Sequence, residues 1–384
     1  IGYLVTVHAL HTPGLTKERE TLASGIRVVR VARSPFWKWR KRELPSTDQT
    51  SQSITKKAVG PISKVSHKML ILRIVARLWT HVGLIFQMIK SQPDIVHAHD
   101  VNTLPTGWLV SVLTRSPLIY DAHEISTDRE GYASFRSIVG WVEKHLMPRA
   151  AASITTTDTR AKFFARAYGV PRPLVLQNRP RYESVERSQR IRNELNLQET
   201  WPIVLYQGGL QQGRGLERLV EAAAQVSNSY FVFIGGGRIE SVLKELAHSL
   251  GLENRVYFIP TVSLADLPSY TASADIGLQP IENTCLNHLS TDSNKLFEYM
   301  MAGLPVVASS LPEIRTLVSE HELGLLVEPG SISELAFAIC RLVGNDDLRH
   351  KFEKNAAIAS QHLNWDEQEG ALLSLYKDVL VGTY

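Results

Sequence analysis

The chain predicts an α/β protein made of two doubly wound, parallel-sheet domains, and three observations lead there. Its 384 residues exceed what one small core needs. Short apolar runs rich in β-branched residues alternate with helical ones in both halves. A polar, charged stretch over residues 179–192 separates the halves and reads as a linker. We therefore expect an N-terminal Rossmann-like domain over 1–178, a second over 193–364, and a terminal helical segment over 365–384.

In the first half, Ile1–Val7, Arg27–Val31, Pro93–Ala98, Leu118–Tyr120 and Ala152–Thr155 read as strands. Thr16–Ala23 reads as helix-like, and Met69–Ile89 as an amphipathic or buried helix because Arg73, Arg77 and His81 interrupt it. Glu43–Ser66 is polar, without apolar period, and too long for a simple connector. In the second half, Ile203–Tyr206, Phe231–Ile234, Val256–Ile259, Ile276–Leu278, Val306–Ala308 and Leu325–Val327 read as strands, with helices such as Leu216–Val226 and Ile239–Leu250 between them. Trp365–Leu380 closes the chain with helical periodicity. In such sheets ligands bind beyond the carboxyl ends of the strands, so two of them facing one another would enclose a cleft.

A hydrophobic content of 44% with 21% charged residues fits a soluble globular protein. No run approaches the roughly 20 uninterrupted apolar residues of a membrane-spanning helix. The first residues read as a core strand rather than a leader, and because the chain opens on Ile, a few residues are expected to precede it. Two cysteines, Cys285 and Cys340, make neither a disulfide framework nor a zinc site, which fits a reducing cytoplasm. The net charge is only +4, but Arg30, Arg33, Lys38, Arg40, Lys41 and Arg42 stand among Phe36, Trp37 and Trp39. Such a segment can dock on an anionic membrane surface, here the inner membrane face, or grip an anionic acceptor. No nucleic-acid motif accompanies it.

The most informative stretch is Ser293-Asn294-Lys295-Leu296-Phe297-Glu298-Tyr299-Met300-Met301-Ala302-Gly303-Leu304-Pro305-Val306-Val307-Ala308. It reads as a short helix ended at Gly303 and followed by a buried strand. A polar lead-in leaves the helix N–H groups open toward an anion. Glu298 lies about one turn inside, within reach of a hydroxyl-bearing group beside that anion. Phosphate at amides and sugar hydroxyl at a carboxylate together describe a nucleotide.

Further segments carry candidate chemistry. Gly208 and Gly209, with Arg214 five residues on, form a glycine-dense turn after a strand, where amides approach a phosphate and a cation neutralises it. Gly235-Gly236-Gly237 follows the next strand without the G-x-G-x-x-G spacing, so a tight turn explains it equally well. In Leu118-Ile119-Tyr120-Asp121-Ala122-His123, the imidazole stands just past a buried strand, where it can bond a sugar hydroxyl. Asn287 and Glu282 precede the phosphate-facing helix, as site residues or as loop braces; Asp292 is weighted lower because an anion repels phosphate. His97, His99 and Asp100 have metal-like spacing, but alternate strand residues are more often structural.

Asn294–Val307 resembles the signature P-N-K-L-F-E-Y-M-A-A-G-x-P-V-V of the family-4 retaining glycosyltransferases, the "glycosyl transferases group 1" type, whose architecture is GT-B. The resemblance implies that Glu298 binds the donor ribose as the second Glu of an E-x7-E pattern whose first position here is Ser290. It implies that the 208–214 turn corresponds to G-R-L-x-x-x-K-G, the pyrophosphate clamp, with Gly209 at its Arg and Arg214 at its Lys. It implies that His123 is the functional His, that Gly14 belongs to the loop against the donor phosphate, and that the last helix crosses back to the first domain. The expected donor-binding set is Gly14, Gly208, Gly209, Arg214, Gly236, Asn287, Ser293, Asn294, Lys295, Leu296 and Glu298, with His123 and Arg214 catalytic. No D-x-D motif occurs, and the family is metal-independent, so neither metal nor cofactor is expected. The implied function is retaining transfer of a sugar from a nucleotide-sugar to a hydroxyl of a glycan, a lipid-linked or a small-molecule acceptor, as in polysaccharide biosynthesis. Two other readings stand beside it: a nucleotide-sugar epimerase or hydrolase on the same scaffold, and a non-catalytic nucleotide-sugar-binding protein.

Overall fold

The computed structural model describes residues 2–12, 15–32 and 67–382. Gly14, the stretch 43–66 and the basic aromatic segment beyond residue 32 lie outside the described residues. The chain divides into two compact units, 1–120 with 149–151, and 121–148 with 152–384.

In the first unit, β1 (Thr6–His11), β2 (Arg19–Thr21) and β3 (Arg27–Ala32) form a sheet of order β1-β3-β2. β1 and β3 run parallel from Thr6↔Arg27 to His11↔Ala32. The helix expected over Thr16–Ala23 is instead the antiparallel edge strand β2, joined to β3 by a tight turn in which Gly25 N donates to Leu22 O (2.8 Å). The segment is too polar to give a helix an apolar stripe, whereas a hairpin edge lets Arg30 of β3 pair with Glu20. The first strand begins at Thr6, not Ile1. Next come α1 (His67–Lys90), β4 (Val96–His99), α2 (Asp100–Thr114) and β5 (Leu118–Ala122), whose first three residues belong to this unit. The His97 and His99 rings stack at 4.5 Å.

The second unit opens with α3 (Arg136–Leu146), β6 (Ala152–Thr155), α4 (Asp158–Tyr168) and β7 (Leu174–Val175), with β6 and β7 parallel. After α5 (Arg190–Leu195) the chain alternates regularly: β8 (Ile203–Gln207), α6 (Leu216–Ala223), β9 (Tyr230–Ile234), α7 (Glu240–Ser249), β10 (Val256–Ile259), α8 (Leu267–Thr271) and β11 (Ile276–Gln279). Then come α9 (Leu286–Leu289), α10 (Asn294–Met301), β12 (Val306–Ser309), α11 (Pro312–Glu320), β13 (Gly324–Val327), α12 (Ile332–Val343), α13 (Asp346–Ser360) and α14 (Trp365–Val381). β8–β13 form one parallel sheet of order β10-β9-β8-β11-β12-β13. In chain order this is 3-2-1-4-5-6, the doubly wound arrangement, with its switch point between β8 and β11. Both faces are covered, and so the strands read as unbroken apolar runs. Ile203 and Leu205 enter one core with α10 and α11, while Val204 and Tyr206 enter the other with α6 and α12.

β8 and β11 are in register only at Ile276↔Val204 and Gly277↔Leu205 before they part. Tyr299 of α10, fully buried, fills the divergence. Its hydroxyl accepts from Gln207 N (3.2 Å) and lies 3.2 Å from both Leu205 O and Leu278 O, either of which can take its proton. Gly277 makes room for the ring, since a Cβ there would stand 2.5 Å from it. α14 anchors residues 177–180: Trp365 N donates to Pro180 O (2.8 Å), and Gln368 bonds both N and O of Gln177. No helix among the described residues is long and apolar enough to cross a membrane.

Tyr299→Phe keeps the ring and strands the buried Gln207 N–H. It should lower unfolding free energy in urea by about 1–3 kcal/mol; a change of only a few tenths would show that the hydroxyl is dispensable at the switch point.

Candidate active site

At the carboxyl ends of β8 and β9 the backbone turns are pressed together. Gly208 N donates to Ile234 O (2.8 Å) and Leu210 N to Gly236 O (3.1 Å). Gly235 has φ +141°, and a Cβ on it would lie 2.1 Å from Gly208 O. Gly235 and Gly237, whose Cβ would stand 2.0 Å from Leu210 O, thus serve close approach of one turn to another. Gly209 O accepts from the Tyr206 hydroxyl at 3.1 Å. Across the switch point, Glu282 N donates to Gly213 O (3.0 Å), which ties the Arg214 loop to the segment after β11. Glu282 itself pairs with Arg218 at 2.6 Å, a brace on the outer side of this loop.

α10 begins beside these turns. Ser293, its N-cap, has φ +60° and offers no side-chain cap; its carbonyl accepts from Leu296 N (3.1 Å), while its side chain leaves the N–H groups of Asn294 and Lys295 uncapped. Asn294 is exposed, and the side chain of Leu296 is buried in the core, where it anchors the helix. Lys295 is buried, its ammonium 4.7 Å from the centre of the Tyr206 ring and 3.4 Å from where a Cβ on Gly208 would stand. Burial first, then the nearby Arg214 charge, lowers Lys295 from 10.5 to about 7, with Glu298 pulling the other way. Arg214 also depresses His288, whose burial is the larger cause. Among the described residues neither Arg214 nor Lys295 has a carboxylate within ion-pair distance. Arg214 and a lysine that gives up its proton near neutral pH therefore sit beside a glycine turn and a helix start, where keeping both charged costs energy until an anion arrives.

Glu298, half-buried one turn further along, is oriented by Gln207 at the end of β8. The Gln207 amide donates to Glu298 Oε2 while its oxygen accepts from Thr271 Oγ1 (2.8 Å). Sequence reasoning passed over Gln207, although a polar residue ending a fully buried strand is a legible signal. Gly208, Gly209, Arg214, Gly236, Ser293, Lys295 and Glu298 thus lie around one switch point.

His123 and Asn287 stand elsewhere in the unit. His123 Nε2 is 3.2 Å from Asp121 Oδ2, at the end of β5. Asn287 accepts from Ile125 N (2.7 Å) and donates to Ile125 O (3.0 Å), so both ends of its amide brace the 123–128 segment. Asp292 is buried and accepts from Gln177 Nε2 (2.9 Å); burial raises its carboxyl, while Arg160 draws it down. Arg160, on α4, was not foreseen at all. Nothing in the local sequence marks it, because its partners lie as far as 130 residues away.

The unfolded chain keeps the Lys295 amine protonated to about pH 10.4. Between pH 7 and that value the unfolded state holds the extra proton, so the lysine's contribution to stability rises with pH across the window. Below pH 7 both states are charged and the full burial cost is present. Lys295→Met should gain stability over the parent by on the order of a few kcal/mol at pH 6, the gain fading as pH rises toward 10. Urea titrations of both proteins from pH 6 to 10 test this, and a pH-independent difference would refute the shifted ammonium.

The Glycosyl transferases group 1 family matches residues 187–358, and the Glycosyl transferase 4-like domain matches residues 2–179. A D-inositol 3-phosphate glycosyltransferase of Corynebacterium glutamicum is 22% identical over 404 aligned positions, covering 99% of this chain and 88% of that protein. Among solved structures, sucrose-phosphate synthase from Thermosynechococcus elongatus superposes with a TM-score of 0.77 at 19% identity, covering 99% of this chain and 90% of that one. Anabaena HepE in complex with UDP-glucose gives a TM-score of 0.66 at 22% identity, covering 79% and 84%. The fold is GT-B, with two Rossmann-like domains. With two glycosyltransferase families matched in order along nearly its whole length, the chain belongs to the family-4 GT-B glycosyltransferases.

Proposed function

We propose that the protein transfers a sugar, with retention of configuration and without a metal ion, from a nucleoside-diphosphate sugar to a hydroxyl acceptor. The observation that carries this is Arg214, without a carboxylate partner among the described residues, and the buried Lys295, set against a glycine turn and the start of α10, with Glu298 one turn away. Negative charge grows on the departing phosphate oxygen in the transition state, and fixed cations with helix N–H groups stabilise it there. Arg214 engages a phosphate through two N–H groups, and Lys295 acts as a point charge. Together they supply the positive charge that a divalent ion supplies in other transferases. Glu298, held by Gln207, accepts from ribose hydroxyls. His123, held by Asp121 through Nε2, hydrogen-bonds a hydroxyl of the donor sugar through Nδ1.

In this scheme the bond from the anomeric carbon to the β-phosphate oxygen breaks as the acceptor oxygen bonds the same carbon from the same face. The acceptor proton passes to the departing phosphate oxygen, leaving nucleoside diphosphate and a glycoside of unchanged configuration. The division of labour, acceptor side in 1–178 and donor side in 193–364, belongs to the proposal. So do a cytoplasmic setting and docking of the 30–42 segment on an anionic membrane. A uridine donor is the first to test, because HepE is described with UDP and with UDP-glucose.

Thermal unfolding with UDP, GDP, ADP and their glucose conjugates, all in EDTA, should show a rise in Tm with one base. Absence of any shift would overturn the reading. With the base in hand, Glu298→Ala should weaken nucleotide binding about tenfold or more. His123→Ala should chiefly lower turnover, and unaltered kinetics in both variants would refute the assignment. Because diphosphate restores the charge on Lys295, binding at pH 8 should take up as much as about one proton, and near pH 6 almost none. Calorimetry in buffers of different ionisation enthalpy reads that uptake directly; proton release or none at pH 8 would exclude Lys295 from the diphosphate site.

A further inference from the structure

Arg160 is a buried cation that the proposed chemistry does not use. Its Nε donates to Ser290 Oγ (3.1 Å), Nη1 to the carbonyl of His123 and to Thr156 Oγ1, and Nη2 to the carbonyl of Asn287 (3.3 Å). Thr157, the N-cap of α4, accepts from Arg160 N and sends its own hydroxyl proton to Ser290 O (3.0 Å). Asn287 in turn clasps Ile125. One guanidinium therefore joins the residue that ends the β5 segment to the loop that delivers α10. A planar fork is required, because four acceptors on three chain segments must be met at fixed angles. An ammonium would reach one or two of them. Ser290 suits this role: it is almost fully buried and offers a neutral oxygen to Nε, where the family pattern has a carboxylate.

We infer that Arg160 is a positioning residue for glycosyl transfer, setting the separation between His123 and the start of α10 so that donor sugar and diphosphate are held in one reactive geometry. This rests on the proposed function. It adds that Arg160 acts on turnover while leaving nucleotide affinity in place, since Arg214, Lys295 and Glu298 do not bond to it. Errors near 1 Å in such placement cost rates up to about a hundredfold.

The test compares the parent, Arg160→Lys, Arg160→Gln and Ser290→Ala by UDP affinity in calorimetry, by UDP release from UDP-glucose, and by circular dichroism. Both Arg160 variants should bind UDP within about threefold of the parent yet release UDP at least about tenfold more slowly at saturation, with Lys the milder. Ser290→Ala, which removes one of the four contacts, should slow release by about twofold to fivefold at unchanged UDP affinity. Should the Arg160 variants not fold, Ser290→Ala decides alone. Parental turnover in the folded variants, or turnover and UDP affinity falling in parallel, would overturn the positioning role. If the parent binds GDP or ADP in place of UDP, the same comparison is made with that nucleotide; a parent that binds none of the three and turns over none of their glucose conjugates would instead remove the reading beneath it.

Discussion

The second unit depends on how its sheet copes with parting at β8 and β11. Two parallel strands that share a short register and then diverge leave backbone groups without ladder partners, and in a buried sheet each such group costs energy. Tyr299 meets that cost with one hydroxyl placed among Gln207 N, Leu205 O and Leu278 O. Burial raises the phenol well above its ordinary value, so it stays protonated and able to donate. Because Tyr299 is locked, so is α10. Glu298 and Lys295, one and four residues before it, are carried to the mouth of the gap by the helix itself. The site is placed by the same contact that closes the sheet.

Two buried cations in this unit show opposite uses of charge. Arg160 is surrounded by oxygens that accept its hydrogen bonds, with Asp292 near enough for the two charges to act on each other. It is satisfied in the resting protein and serves geometry. Lys295 has a glycine turn and a second cation near it, with the Tyr206 face and Glu298 favouring its charge but outweighed by burial. Its environment is favourable only when a counter-anion is present. Burial of a charge without a partner lowers stability, and proteins tolerate it where the missing partner is a ligand.

Much of this was legible in the chain. The strands β8–β13 announce themselves because a sheet covered on both faces needs unbroken apolar runs, and Val256–Ile259 has the bounds read from the sequence. The signature from Asn294 to Val307 pointed to α10 and β12. Other features were hidden for physical reasons. Arg19–Thr21 has no helical stripe and no strand alternation long enough to read, and only its pairing with β3 decides its state. Asn287 has the chemistry of a sugar ligand, yet in the fold its amide is spent on Ile125. Arg160 looks like any arginine on a helix, because the acceptors that define it come from segments 37, 127 and 130 residues away.

The two departures from the family pattern, Ser290 and Gly209, acquire a common sense in this geometry. A carboxylate at 290 would sit against the Arg160 fork and within two residues of Asp292, adding an anion to the entry of a helix whose free N–H groups favour the opposite. Serine leaves that entry less negative while still giving Nε an acceptor. At 209, an arginine would add a third cation to Arg214 and Lys295, which already act on one another strongly enough for Arg214 to help lower Lys295. Glycine at 209 instead leaves the turn slim beside the Lys295 ammonium, which reaches within 3.4 Å of the Cβ position of the adjacent Gly208. On the proposed reading, the positive charge that holds the diphosphate is thus divided between the loop and the helix, and the helix share is fixed in place by Tyr299.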